Sequence, residues 1–258
     1  MGNKTINTQQ GHWILAKMGK KVLRPGGKEL TQKLIKNLKI DSEDDIVEFA
    51  PGLGFTASIA LKSNPKTYTG IELNEEAARI LRKVINGKDR KIIIGNAAQS
   101  TLNENSFSKV YGEAMLTMQV DHRKSEIIKE AHRVLKKGGL YGIHELGLQP
   151  DAISEEKKAE IQRALAQVIK VNARPLTLNE WSDLLENEGF RVVKTETNPM
   201  HLLEPIRMIG DEGFFRTLKI VFNMLTHPNE RKRIWAMRKV FRKHQSHLNA
   251  ICIVAEKK

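Results

Sequence analysis

Between residues 28 and 198, short apolar runs alternate with helical patterns, and this alternation constrains the chain more than any other feature. "KELTQKLIKNLKI" places Leu30, Leu34, Ile35 and Leu38 on one helical face, and a strand over 45–50 follows. "TYTGIEL", "KIII", "KVYGEAM" and "LYGIHEL" read as strands two to five. The helix "NEEAARILRKVI" follows the second, with Asn74 as N-cap and acids in its first turn. "SEIIKEAHRVLKKGG" precedes the fifth and reads as a helix ended by glycine, with lysines in its last turn. "FRVVKTET" and "LNAICIVAE" complete seven strands. Strands alternating with helices predict an α/β fold with a doubly wound, mostly parallel sheet, whose ligands sit beyond the carboxyl ends of the strands.

The rest of the chain reads as a cap on that sheet. A helix is expected over 154–171, and a second one starts at "TLNE", where Thr177 and Glu180 are spaced as a capping box. Residues 198–247 are too long for a plain loop and predict a helical insert. Within it, "GFFRTLKIVFNML" sets Phe214, Leu218, Val221, Phe222 and Leu225 at helical spacing, as a core stripe or a pocket wall. Residues 1–27 form an N-terminal cap segment and 28–258 the main domain, within the size one domain can hold. The N-terminus is polar, without the apolar core of a signal peptide, and no apolar run is long enough to cross a bilayer. Cys252 is the single cysteine, which excludes an internal disulfide and suits a reducing, cytoplasmic setting. The net charge of +13 points towards nucleic acid, an anionic membrane or acidic substrates without choosing among them. Part of the excess is local: residues 229–244 hold seven Lys/Arg against one Glu. Oligomeric state is not legible.

The first strand runs into the turn "IVEFAPGLGFTA", where Gly52, Gly54 and Ala57 fit G-x-G-x-x-A. Alone, that pattern also suits a nicotinamide-binding oxidoreductase with Glu72 on the ribose. Three further features favour another nucleoside. Glu48 stands inside the end of the strand, "GNAA" follows the third strand, and "RVLKKGGLYGI" leads into the fifth. In this order and spacing the run resembles the class I S-adenosylmethionine-dependent methyltransferases over roughly 40–147. "VEFAPGLG" resembles the family's first motif, E-x-G-x-G-x-G, with Ala50 in place of the first glycine. "GIELNEEAA" resembles the ribose-binding acid segment, "IIIGNAAQSTL" the stretch beside the adenine, and "AHRVLKKGG" a signature in which Lys137 replaces the usual proline.

The resemblance implies a Rossmann-like methyltransferase fold and S-adenosyl-L-methionine as cofactor. It implies contacts from Glu48, Ala50, Pro51, Gly52, Gly54, Glu72, Leu73, Asn96 and Ala97. Glu113 and Met115, with Gln119 nearby, follow the fourth strand as candidates for the cofactor or acceptor wall. The sulfonium cofactor is already activated, so a general base is needed only where the acceptor must lose a proton. Three histidines are candidates for such a role: His144, with Glu145 beside it as an orienting acid, His12 in the N-terminal segment, and His201 at the start of the insert. Each also has a purely structural reading. No His/Cys/Asp cluster has metal-ligand spacing, so no metal is expected. The expected function is methyl transfer to a small organic acceptor, with hydrophobic acceptors among the candidates. The rivals are an RNA or DNA methyltransferase, a nicotinamide-dependent oxidoreductase and a non-catalytic cofactor sensor. The basic stretch 229–244 is the candidate for contact with an anionic membrane or nucleic acid.

Overall fold

A computed structural model describes residues 10–258; the first nine residues of the predicted N-terminal cap segment lie outside the described residues. Two helices come first, α1 (Gly11–Lys17) and α2 (Gly27–Leu38). The alternating region follows: β1 (Asp45–Phe49), α3 (Phe55–Ala60), β2 (Thr67–Glu72), α4 (Glu75–Val84), β3 (Arg90–Ile94), β4 (Phe107–Glu113), α5 (Asp121–Val134) and β5 (Leu135–Leu148). Then come α6 (Glu155–Ile169), the two-residue β6 (Leu176–Thr177), α7 (Leu178–Asn187) and β7 (Phe190–Pro199). The chain closes with α8 (Pro205–Glu212), α9 (Phe214–Thr226), α10 (Pro228–Lys243) and β8 (Leu248–Lys257).

The sheet has the order β3-β2-β1-β4-β5-β8-β7, with β6 added beside β5. Strands β1 to β5 run parallel, and β8 is antiparallel to both neighbours. The expected doubly wound, mostly parallel fold is observed, with seven strands on the main path and the short β6 as an addition. The chain order reverses between β1 and β4, which opens a crevice at their carboxyl ends. The central strands are buried on both faces, as helices on either side require, whereas β7 at the edge is largely exposed.

Local signals explain most boundaries. The side chain of Asn74 accepts the Ala77 amide at the start of α4, and Thr177 and Glu180 form the expected capping box at α7. One boundary differs: α5 stops at Val134 rather than at the glycines. Leu135 turns extended, is fully buried and pairs with Phe107, so core packing ends the helix early and leaves Lys136 and Lys137 outside it.

Three apolar clusters hold the molecule together. One packs α5 and α7 on one face of the sheet, and another packs α2, α3 and α4 on the opposite face. The third joins α1, α6 and α10 to the far end of β5 through residues such as Leu15, Leu165, Met237 and Leu146. This last cluster is a separate core, placed over the carboxyl edge of the sheet.

The stripe on α9 does not join a core. Phe214, Leu218, Val221, Phe222 and Leu225 are all exposed, and α9 packs inward through Thr217, Ile220 and Met224 instead. Those inward positions fall on a separate stripe of the same helix, which the apolar spacing alone did not reveal.

Candidate active site

The turn between β1 and α3 is built from left-handed residues. Ala50, Gly52 and Gly54 have φ of 54°, 57° and 82°. At Gly54 a Cβ would meet Leu81 Cδ1 at 2.6 Å, so glycine lets the turn close onto α4. At Gly52 a Cβ would meet nothing within 4 Å, because that position faces the crevice. Ala50 holds a left-handed conformation with a side chain, which costs roughly 1–2 kcal/mol for an L-residue.

Two acids fix the turn. Glu72, at the end of β2, accepts the Gly52 amide on Oε2 and the Asn74 amide on Oε1, both at 2.9 Å. Burial pushes its carboxyl up, against the pull of those amides. Glu48 lies below, accepting the hydroxyls of Tyr68 at 2.7 Å and Tyr111 at 3.1 Å. Burial outweighs both hydroxyls and pushes Glu48 up to about 7.

Above the turn is a cavity of about 280 Å³. Its sheet side is formed by Ala50, Pro51, Gly52, Glu72, Glu113 and Met115. Its other walls come from the cap, with His12 and Trp13 of α1, Leu165 of α6, and Met237 and Phe241 of α10. The loop after β4 also contributes Thr117 and Met118. That loop is held by Glu145, which accepts the amides of Met115, Leu116 and Thr117 and the Thr117 hydroxyl, at 2.7 to 3.0 Å. Glu145 therefore orders the cavity wall and does not orient His144.

The acid that holds His144 is Glu113, from the neighbouring strand. His144 is fully buried, with Nδ1 2.6 Å from Glu113 Oε1 and Nε2 2.6 Å from the Pro25 carbonyl. A carbonyl only accepts and an ionised carboxylate only accepts, so both ring nitrogens donate. Glu113 also takes hydrogen bonds from the hydroxyls of Thr31 and Thr56, and Arg24 Nε lies 2.9 Å from its Oε2. Burial alone would raise this carboxyl, but the Arg24 guanidinium and the His144 ring outweigh it and hold Glu113 at about 2. Arg24 was not singled out from the sequence. It stacks over Phe55, 5.3 Å from the ring centre, and lines the cavity. Its Nη1 is buried with no hydrogen-bond partner among the described residues.

The segment carrying Arg24 and Pro25 is clamped from the cap. Glu212 of α8 accepts the amides of Lys21 and Val22, and lies 3.4 Å from the buried Lys20 ammonium. Asp211 accepts the Lys28 amide at the start of α2. Helix α8 thus fixes the strap that seals one side of the crevice.

The structure brings together Ala50, Pro51, Gly52, Glu72, Glu113, Met115 and His12 around the cavity. Glu48 and Gly54 support the turn from behind. Leu73 is exposed just beyond Glu72. Asn96 and Ala97 lie after β3, outside the cavity, and the Asn96 side chain accepts from the Ala98 amide and Arg123. The Gln119 side chain turns back to the Met115 carbonyl. Two of the three histidines do not face the cavity. His144 is saturated beneath its floor, and His201 is exposed on the outer side of the cap, in a groove with Glu204 and Arg238. His12 does line it, beside Trp13, and burial pushes its ring down to about 4. Among the described residues no His/Cys/Asp/Glu group is arranged to hold a metal ion.

The comparisons with known proteins agree with this geometry. A family model described as a methyltransferase domain matches residues 47–143. A protein of Haemophilus influenzae whose own role is uncharacterized is 36% identical over 248 residues, covering 94% of this chain and 96% of that one. Among solved structures, the phosphoethanolamine N-methyltransferase 2 of Haemonchus contortus, in complex with S-adenosyl-L-methionine, superposes with a TM-score of 0.74 at 16% identity. That match covers 99% of this chain and 58% of the other. The [4+2]-cyclase SpnF gives a TM-score of 0.73 at 14% identity, over 97% of this chain and 93% of that one. Crevice, sheet order and motifs define a Rossmann-like methyltransferase. The chain belongs to the class I S-adenosylmethionine-dependent methyltransferase family, and its cofactor is S-adenosyl-L-methionine.

Proposed function

We propose that the chain methylates a small, largely apolar organic acceptor bound between the sheet edge and the cap. The observation that carries this reading is the cavity itself. It begins at Gly52 and Glu72 and continues, without a break in its lining, into a wall of Trp13, Leu165, Met237 and Phe241.

The residues at the polar end fit the cofactor. Gly52 leaves open space where a side chain would intrude, and Glu72 offers carboxylate lone pairs to a ribose diol. The unpartnered, buried Arg24 Nη1 suits the cofactor's carboxylate. Leu73, Asn96 and Ala97 flank the adenine, and Ala50, Pro51 and Met115 line its methionine end. Glu48 supports the turn from below and Gly54 lets it close. When bound, the cofactor supplies an activated methyl group on a sulfonium.

The protein's own contribution is alignment and exclusion of water. Glu145 locks the 115–117 loop against the transfer line, and the α8 clamp closes the strap over it. His12 is neutral, so it accepts a hydrogen bond from an acceptor hydroxyl or amine but is a weak base. That favours acceptors that need little help to lose a proton. The N-terminal segment up to residue 27 and the helical insert 198–247 serve as the acceptor-shaping cap, lining it through His12, Trp13, Met200, Leu202, Met237 and Phe241. The buried, lone Cys252 is in keeping with a reducing, cytoplasmic setting.

One observation favours a second reading. The net charge of +13 and the run of cations on α10 would suit a nucleic-acid substrate. Transfer of labelled methyl, measured against a panel of apolar amines, thiols and phenols and against total RNA, separates the two. Turnover on a small acceptor with none on RNA is expected. Salt-sensitive transfer to RNA alone overturns the small-acceptor reading.

A further inference from the structure

Helix α9 presents two apolar stripes, and the cavity uses neither. One packs into the cap core through Thr217, Ile220 and Met224. The other faces outward. At 100° per residue, Phe214, Phe215, Leu218, Val221, Phe222 and Leu225 fall within about one third of the helix circumference. All six are exposed, Phe215 by 85% and Phe222 by 64%. On the preceding helix α8, which packs against α9, Ile206 is also exposed, by 89%, but in the groove lined by His201, Glu204 and Arg207. Isolated surface apolar residues need no explanation, but a contiguous ridge with two protruding phenylalanines does.

Charge identifies what covers the ridge. Helix α9 carries Lys219 beside the stripe and no acid, while its Arg216 turns inward to Glu212 of α8 and the Gly19 carbonyl. On the adjoining α10, Trp235 is 62% exposed, with Lys232 and Lys239 about one turn to either side of it. An apolar face bordered by cations, with an amphipathic tryptophan nearby, is the composition of a helix lying in an anionic membrane interface. A second copy of the chain fits poorly. A two-fold contact across α9 would bring the Lys219 of both copies near each other, with no acid on that helix to neutralise them. A nucleic acid fits poorly as well, because the centre of the face is greasy and its cations lie at the border.

We propose that the α9 ridge docks the enzyme onto anionic phospholipid bilayers, with its phenylalanines entering the acyl boundary and the cations beside it contacting headgroups. The contact is thus carried by α9, with the basic α10 as a flank rather than the main anchor. This inference rests on exposure and charge alone and does not depend on the acceptor assigned above.

The test is flotation of the full chain with vesicles of phosphatidylcholine alone and of phosphatidylcholine mixed with phosphatidylglycerol, whose anionic surface attracts Lys and Arg. Light scattering reports the oligomeric state in parallel. Binding to the anionic vesicles is expected, at least tenfold weaker on the neutral ones. The exposed double variant F215E/F222E should lose that binding at least tenfold while keeping the parent's cofactor affinity, which shows that it is folded. Failure of the parent to float with anionic vesicles would overturn the proposal. So would unchanged flotation of the variant, or a parent dimer that the variant splits and that does not bind vesicles.

Discussion

The two walls of the cavity are built on different principles. The sheet side is polar beneath its surface: Glu48, Glu72, Glu113 and Glu145 are all buried, each tied to backbone amides, hydroxyls or cations. The cap side is apolar and rich in adaptable side chains, with Met237, Phe241, Trp13 and Leu165. A common cofactor needs fixed hydrogen-bonding geometry, which buried carboxylates and a glycine turn provide. An acceptor particular to one enzyme needs only shape and dryness, which many apolar sets supply. The difference predicts that damage to the first wall shows in stability and cofactor affinity, and damage to the second in acceptor turnover alone.

The largest expected effect is at Glu113. Glu113→Ala leaves the Arg24 guanidinium and His144 Nδ1 buried without their carboxylate partner. Breaking a buried pair of this kind costs about 3–5 kcal/mol. Urea denaturation should show that loss, with Glu113→Gln milder; a variant as stable as the parent would mean that the strap is held by other contacts. Glu113 also has a pH signature. Its folded value is depressed, so its stabilising contribution is complete above the ordinary carboxylate range and is lost as pH falls from there towards about 2.

Glu48 runs the other way. Its folded value is raised, so between about 4.5 and about 7 the unfolded chain is ionised while the folded chain keeps the proton. Stability should therefore fall as pH rises through that window, by on the order of 3 kcal/mol. Denaturation at several pH values should show this slope in the parent and its loss in Glu48→Gln. An unchanged slope in the variant would place its origin elsewhere.

Glu72→Ala sharpens the comparison on the ligand side. It removes a charged partner of the ribose and the anchor of the Gly52 amide. Hydrogen bonds to charged groups contribute ~1.5–3 kcal/mol, a tenfold or larger loss of affinity in calorimetric titration with S-adenosylmethionine. Equal binding by variant and parent would contradict the ribose assignment. The smallest effect is at Ala50. Glycine there relieves the left-handed strain but frees the unfolded chain, so Ala50→Gly should raise stability by about 0.5–1 kcal/mol. A thermal melt that moves down instead would show that the methyl packs usefully.

What was legible in the sequence follows the same division. The strands, Asn74, the capping box and the glycine turn are local signals, set by periodicity and by backbone needs over a few residues. Residues 47–143, where the family model matches, hold most of them, with the capping box at Thr177 and the last two long strands beyond it. The cap residues that line the cavity, such as Trp13, Met237 and Phe241, carry no such signal. The α9 stripe reads as core or pocket wall because apolar spacing does not say which side the rest of the chain packs on, and the structure leaves it exposed. His144 stood at the expected strand end, yet the acid that engages it comes from β4, a pairing visible only once the register is known. Arg24 escaped notice because its role depends on a strap folded back across the sheet edge, held by Glu212 about 190 residues away.

The central claim is that the cofactor lies across the carboxyl ends of β1 and β2 with its sulfur facing the apolar wall. A crystal structure with S-adenosylhomocysteine tests it most directly. The account predicts the ribose hydroxyls on Glu72, the carboxylate on Arg24, and the sulfur directed towards the space bounded by Met115 and Met237. A product bound elsewhere, or with its ribose turned away from Glu72, would contradict it.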